Sequence, residues 1–206
     1  MPKSRPYQPL FFRLLHAANG IAVLGSIGTG FWLYNTWDQR FGKLPLPDAD
    51  SQWFKIHHNI GTVVTVCFGV FLLYGLVAGR RRLIQAKSLK QLPHLNKPSG
   101  QHALYRLINT GLLGMLILSM ISARQFGGAR VLVNGEWDDV WYSLHLFAWA
   151  SMVVLVLVHI ALGLKVGGVP LLMSAFETRV RPKDSPRQWK QRLTNWMQTI
   201  SQRNRS

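Results

Sequence analysis

Residues 145–159 read HLFAWASMVVLVLVH, with a histidine at each end of an uncharged and mostly apolar stretch. They lie in a longer uncharged run, 141–164, which as a helix rising about 1.5 Å per residue could cross a hydrocarbon core of about 30 Å. Fourteen residues at about 100° each fall about 40° short of four turns, so His145 and His159 point to nearly the same face. They lie about 21 Å apart along the helix axis. One metal ion cannot contact both histidines, whereas two separate cofactors can.

Three more segments have the length and composition of membrane-spanning helices, and they cover residues 11–34, 54–77 and 103–122. Each is close to the roughly 20 residues needed to cross a bilayer, and in lipid the backbone groups must pair within the segment. The first run is longer than the roughly 7–15 apolar residues of a secretory signal, so we interpret it as a retained helix. The predicted fold class is an all-α membrane protein, with a four-transmembrane-helix bundle as its first domain over residues 1–170.

Charge and hydrophobicity together favour a membrane protein over a nucleic-acid binder. The chain carries 24 Lys and Arg against 8 Asp and Glu, a net charge of +16, yet 48% of its residues are hydrophobic. The two properties are segregated along the chain, because long uncharged runs alternate with short basic segments. A nucleic-acid-binding domain would spread its basic residues over a folded face and would not need apolar spans of about 20 residues.

The distribution of basic residues predicts the orientation in the membrane. Of the 24 Lys and Arg residues, 19 lie before the first helix or at its start, between residues 80 and 106, or from residue 165 onward. Because cytoplasmic loops are enriched in Lys and Arg, both termini are predicted to be cytoplasmic. The other five lie on the opposite side: Arg40, Lys43, Lys55, Arg124 and Arg130.

Helix directions then place the histidines in pairs at matching depths. His16 is at the cytoplasmic start of the first helix, level with His159. His57 and His58 are at the external start of the second helix, so one of them is level with His145. The third helix has no histidine and is expected to serve packing through Gly111 and Gly114, which suit close helix contact.

Two facing imidazoles suit haem iron better than other metals. Zinc prefers four ligands, and copper more often recruits Met or Cys, whereas b-type haem iron needs only two axial ligands. No CxxCH motif is present, so covalent attachment of haem is excluded. The alternative that remains open is that these histidines only form hydrogen bonds between helices, as in a haem-free membrane scaffold.

The chain resembles the bacterial cytochrome b561 / nickel-hydrogenase cytochrome b-type subunit family over roughly residues 8–170. The first helix begins Arg13-Leu-Leu-His16 and ends in Thr29-Gly30, the second reads HHNIG over 57–61, and His145 and His159 have the family's 14-residue spacing. Ala17 stands where the family usually has Trp. The family's His-x-x-x-Gly pattern makes His57 the ligand, with His58 as the alternative.

The resemblance implies two haem b groups, with His16, His57, His145 and His159 as the axial ligands. It also implies electron transfer between quinone or quinol and a redox partner, as a quinol-oxidising enzyme or as an electron-transfer subunit. An alternative is a haem-bearing membrane anchor of a dehydrogenase or hydrogenase complex. The membrane is then a prokaryotic plasma membrane or a thylakoid membrane.

Further expectations concern groups around the haems and the end of the chain. Haem propionates are anionic and should face the aqueous ends of the bundle, with Arg13 as a candidate partner on the cytoplasmic side and Arg124 or Lys55 on the external side. The alternative is that these side chains only anchor the helices at the membrane surface. His94 and His102, which lies just before the third helix, are expected to be solvated. Residues 131–137 read as a short hairpin. A second region, 171–206, is predicted to be a basic cytoplasmic tail, which either forms an amphipathic helix on the membrane surface or is disordered.

Overall fold

The computed structural model describes residues 8–77, 79–126, 139–174 and 194–195 of the 206-residue chain, and every regular element in these ranges is helical. In chain order the elements are α1 (Leu10–Leu33), a π-helical turn (Tyr34–Asp38), α2 (Gln52–Val77), a 3₁₀ turn (Arg80–Arg82), α3 (Ala86–Leu89), α4 (Pro98–Phe126) and α5 (Val140–Met173).

Four of these helices, α1, α2, α4 and α5, are long and apolar enough to cross a membrane. α2, α4 and α5 each contain one predicted span, and α1 covers the remaining span, 11–34, except for its last residue in the π-helical turn. The predicted all-α architecture with four transmembrane helices is therefore confirmed. Their outer faces carry exposed large apolar side chains, among them Ile21, Val66, Leu73 and Leu157. Such extensive apolar exposure would be a liability in water, whereas lipid tails solvate these side chains.

The third spanning helix is longer than its predicted span, because α4 runs from Pro98 to Phe126 rather than over 103–122. Hydropathy marks the part of a helix that crosses lipid and does not mark where the helix itself ends. Pro98 suits the first turn, since its missing N–H would have no partner there. His102, expected just before this helix, therefore lies inside it.

The fourth spanning helix also passes its predicted end at residue 164 and reaches Met173, but with a break. Gly168 has φ 66° and ψ −174°, which is not helical, and Pro170 follows it. Only glycine adopts that backbone conformation without strain. The regular part of α5 therefore stops close to the predicted position, and a further turn follows the kink.

The four long helices form two hairpins that meet around a narrow core. α1 packs along α2 and α4 packs along α5, while contact between the two hairpins is sparse. Where the hairpins meet, side chains from all four helices form a buried apolar layer: Val23, Val64, Phe68, Leu116 and Met152. Met152 lies seven residues from both His145 and His159, so this layer separates the two histidine levels.

Two predictions fall outside the described residues. They are the hairpin over 131–137 and the amphipathic surface helix of the tail. Of the second predicted region, 171–206, the structure describes only residues 171–174 and 194–195.

Candidate functional site

The structure brings four histidines together in two pairs, one near each end of the bundle. The ring centres of His16 and His159 are 6.1 Å apart, with 33° between the ring planes. Those of His57 and His145 are 6.4 Å apart, with the planes nearly perpendicular at 84°. Each pair takes one histidine from each helical hairpin, so each pair spans the gap between the hairpins.

The ring of His57 is oriented by a hydroxyl near the end of α1. Thr29 Oγ1 lies 2.8 Å from His57 Nδ1 and also donates to the Gly25 carbonyl at 2.8 Å. Since the hydroxyl proton is already used, Thr29 accepts the N–H of His57 Nδ1. The Nε2 atom of His57 is then unprotonated and able to bind a metal.

The ring of His145 is oriented by a backbone carbonyl on α4. Its Nδ1 is 3.0 Å from the Ser119 carbonyl oxygen, with the Ser122 hydroxyl at 3.3 Å. Because a carbonyl oxygen can only accept, His145 Nδ1 carries the proton and Nε2 is again the free nitrogen.

The ring of His159 is oriented by the amide of Asn109 on α4. His159 Nδ1 lies 2.9 Å from Asn109 Oδ1, and Asn109 Nδ2 donates to the Arg82 carbonyl at 3.3 Å. The Arg82 carbonyl fixes which end of the amide is which, so the oxygen faces histidine and accepts the Nδ1 proton. Three of the four rings therefore have the same tautomer.

His16 is held by aromatic neighbours instead. Its ring centre is 5.7 Å from that of Phe12 and 6.1 Å from that of Phe71. On the other side of the pair, Tyr105 stacks on His159 with 5.3 Å between ring centres. The His16–His159 pair thus lies between aromatic rings, which suit a flat apolar cofactor.

Small residues leave room next to the histidines. Gly20 and Gly61 follow His16 and His57 by four residues, on the same helix faces, and a Cβ atom at either would meet nothing within 4 Å. Gly30 allows the opposite, a close approach: a Cβ there would lie 3.3 Å from both His57 Cε1 and Trp149 Cδ1. A side chain at Gly30 would press on the His57 ring.

The sequence matches the family model described as prokaryotic cytochrome b561 over residues 7–176. The chain belongs to the prokaryotic cytochrome b561 family. No curated protein and no solved structure matches it. Membership makes the chain a multi-pass membrane b-type cytochrome of electron transfer and implies that it binds b-type haem. The resemblance to this family that the sequence motifs indicate is therefore confirmed.

The two histidine pairs of this cytochrome b561 fit haem iron. A metal–imidazole distance of about 2.0–2.1 Å, plus about 1.1 Å from nitrogen to ring centre, separates the centres of two opposed ligands by about 6.3 Å. The observed 6.1 and 6.4 Å agree with this separation. Among the described residues, no group of three or more His, Cys, Asp or Glu side chains could hold a metal ion.

The other residues that the sequence singles out differ in burial. His58 is exposed on α2 while His57 faces His145, so the geometry favours His57 over its neighbour. Arg13 is buried, with 2% of its surface exposed, on the α1 turn before His16. Four other residues singled out from the sequence are exposed: Lys55, His94, His102 and Arg124.

Sequence reasoning missed the contribution of α4. The sequence predicts only a packing role for this helix. A Cβ at Gly111 would lie 3.6–3.8 Å from the Leu155 side chain, whereas a Cβ at Gly114 would meet nothing within 4 Å. However, α4 also supplies Asn109 and Ser119, which orient two of the four histidines. An amide inside an apolar span is costly and could have been flagged as functional for that reason.

Proposed function

We propose that this cytochrome b561 holds two haem b groups and carries electrons between the quinone pool and a redox partner across the membrane. In this proposal His16 and His159 ligate one haem, and His57 and His145 ligate the other. The observation that carries it is the pair of ring separations, each suited to a shared iron, together with the Nδ1 hydrogen bonds that leave Nε2 free in His57, His145 and His159.

The residues around each site act on the ligand rings. Haem supplies reversible one-electron chemistry when bound, and the protein sets its potential and position. The acceptors Thr29, Ser119 and Asn109 hold the imidazoles in one orientation and increase their basicity. If both histidines of a pair bind one iron, no open position would remain on it, which would favour electron transfer over oxygen binding.

The spacing of the sites suits transfer from one membrane face to the other. α5 places His145 and His159 about 21 Å apart along its axis, with the apolar layer around Met152 between them. We propose that the His16–His159 site is on the cytoplasmic side, with both termini cytoplasmic, because the exposed basic residues of the 80–106 segment lie at that end.

Quinol oxidation by the isolated chain is the first form of this function. A second candidate is a haem-bearing anchor subunit that binds a soluble dehydrogenase or hydrogenase. The observation that favours it is a set of exposed cations between α2 and α4: Arg80, Arg81, Lys87, Lys90 and Lys97. Such a surface would attract an acidic partner. Oxidation of a soluble quinol analogue by the purified chain separates the two.

The proposal is tested by counting haem per polypeptide after purification in detergent, using the pyridine haemochrome spectrum. We expect two haem b groups in the natural protein and one each in His145→Ala and His159→Ala. His58→Ala is the matched control, because it removes an exposed histidine next to a proposed ligand, and it should keep both haems. A colourless protein would contradict the proposal and favour a haem-free scaffold. A haem count that neither ligand substitution changes would contradict the assignment of these histidines as ligands.

A further inference from the structure

The segment between α2 and α4 is held by hydrogen bonds to α4 next to the His16–His159 site. The Arg82 carbonyl accepts from Asn109 Nδ2, the same amide that holds His159, and Ile84 N donates to Thr110 Oγ1 at 2.9 Å. Further along, Arg106 Nη1 donates to Ser88 Oγ at 3.0 Å. The position of Arg82 is therefore tied to the helix that orients a proposed ligand.

The Arg82 side chain lies against the residues of that site. Its guanidinium carbon is 3.9 Å from the centre of the Phe12 ring, which in turn lies beside His16. Its Nη2 donates to Gln8 Oε1. The charge of Arg82 is close enough to act on His16, Tyr74 and Tyr105.

One nitrogen of the Arg82 guanidinium lacks a hydrogen-bond partner within the described part of the chain. Arg82 Nη1 is buried and has no hydrogen-bond partner among the residues that the structure describes. Its neighbours Arg80 and Arg81 are exposed, so they can be hydrated. Leaving a charged donor buried without a partner is costly, and burial lowers the pKa of Arg82 from its usual value.

Among the described residues, no carboxylate lies at the end of the bundle where Arg82 is found. The described acids belong to the opposite end, where α1 ends and α2 and α5 begin: Asp38, Asp48, Asp50 and Asp139. A carboxylate brought in by a ligand would complete the site, and the planar guanidinium matches carboxylate geometry.

We propose that Arg82 binds a propionate of the haem held between His16 and His159, an inference that rests on the proposed function. The propionates are the anionic edge of haem and are expected at the aqueous end of the bundle. The segment that carries Arg82 lies at that end. Arg82 then positions the haem and sets its potential, in addition to the expected contribution of Arg13. A lipid phosphate is a different anion for the same nitrogen, but exposed Arg80 and Arg81 suit headgroups better than a buried atom does.

The test compares Arg82→Gln with Arg81→Gln, which removes an equal charge from an exposed neighbour in the same 3₁₀ turn. The midpoint potential of each haem is measured in the full-length protein, and the His16-site haem is identified as the one retained in His145→Ala. We expect Arg82→Gln alone to lower the potential of that haem, because a cation that stabilises the reduced state is lost. The potential should also depend more steeply on pH, since a propionate without its cation has a higher pKa.

Two further variants separate binding of the propionate from support of the fold. Gln8→Ala removes the hydrogen bond of Arg82 but keeps its charge, and should leave both potentials unchanged. Arg82→Lys keeps the charge, so it should retain the haem and show a smaller shift, even if Arg82→Gln does not assemble. Potentials in Arg82→Gln equal to those of Arg81→Gln would overturn the proposal, as would loss of the His16-site haem from Arg82→Lys. An effect of Arg82→Gln on lipid binding that leaves both haem potentials unchanged would also overturn it. If the natural protein does not contain two haems, that result would instead contradict the proposed function.

Discussion

At the scale of single residues, the site is defined by hydrogen bonds as much as by the histidines. Nothing in a histidine's spacing says which ring nitrogen carries the proton. Here the carbonyl of Ser119, the committed hydroxyl of Thr29 and the oriented amide of Asn109 each place it on Nδ1. In each of the three rings Nε2 is thereby the nitrogen that is free to bind a metal. Such preorganisation avoids the cost of selecting tautomer and rotamer at the moment of binding.

Asn109→Leu should weaken haem binding at the His16–His159 site while leaving the other site intact. The substitution keeps the size of the side chain and removes the acceptor of His159 Nδ1. Loss of a hydrogen-bond partner behind a metal ligand typically reduces affinity about 10–100-fold. The measurement is the rate at which each haem transfers to apomyoglobin.

Two variants control this experiment. Asn59→Leu replaces an exposed amide on α2 and should leave both transfer rates unchanged. Asn109→Asp keeps an acceptor oxygen and should retain the haem. Equal rates in Asn109→Leu and Asn59→Leu would show that the bond to His159 does not matter for haem retention.

At the scale of elements, hydropathy and helix direction predicted which helices exist and which histidines share a depth. They did not predict the role of α4, because the Asn109–His159 contact depends on how that helix is rotated about its axis. They also missed Arg82, whose position follows from hydrogen bonds of a polar connecting segment. Because the lipid-facing and core-facing residues of a spanning helix are both apolar, hydropathy does not give the rotation of that helix about its axis. It also gives no information on the path of a polar loop.

A polar clasp joins the end of the first helix to the start of the last. The side chain of Asp38, only 2% exposed, accepts from Tyr142 Oη at 2.7 Å and from Arg40 Nε at 2.8 Å. Arg40 also lies over the Tyr142 ring, with 5.4 Å to its centre. Tyr142 is one turn before His145, so the clasp bridges the two hairpins at the His57–His145 level.

Asp38→Ala should therefore destabilise the protein by about 2 kcal/mol, since hydrogen bonds to a buried charge contribute more than neutral ones. Asp48→Ala is the matched control, because Asp48 forms an exposed ion pair with Lys43. Such pairs contribute about 0–1 kcal/mol. Thermal unfolding in detergent measures both variants, and equal melting temperatures would mean that the clasp does not hold the hairpins together.

At the scale of the whole molecule, the bundle is two hairpins with little direct contact. The buried core between them is a single narrow layer, and large parts of every spanning helix face outward. Both proposed haem sites use one ligand from each hairpin. Haem would therefore act as a cross-link at each end of the bundle, with the apolar layer around Phe68 between them.

Protein made without haem should keep its helices but lose the fixed packing of the hairpins. The hydrogen bonds of a spanning helix are satisfied within the helix, so far-ultraviolet circular dichroism should be unchanged, whereas the near-ultraviolet signal should weaken and the melting temperature fall. A ligand that binds only the folded state stabilises it by about 2.7 kcal/mol at 100 times its dissociation constant. Since the two sites are at opposite ends, His145→Ala and His159→Ala should each lose one cross-link. The melting temperature of each variant should therefore lie between those of the haem-free protein and of the protein with both haems. A haem-free protein with the same melting temperature and near-ultraviolet signal would mean that the hairpins are held together without haem.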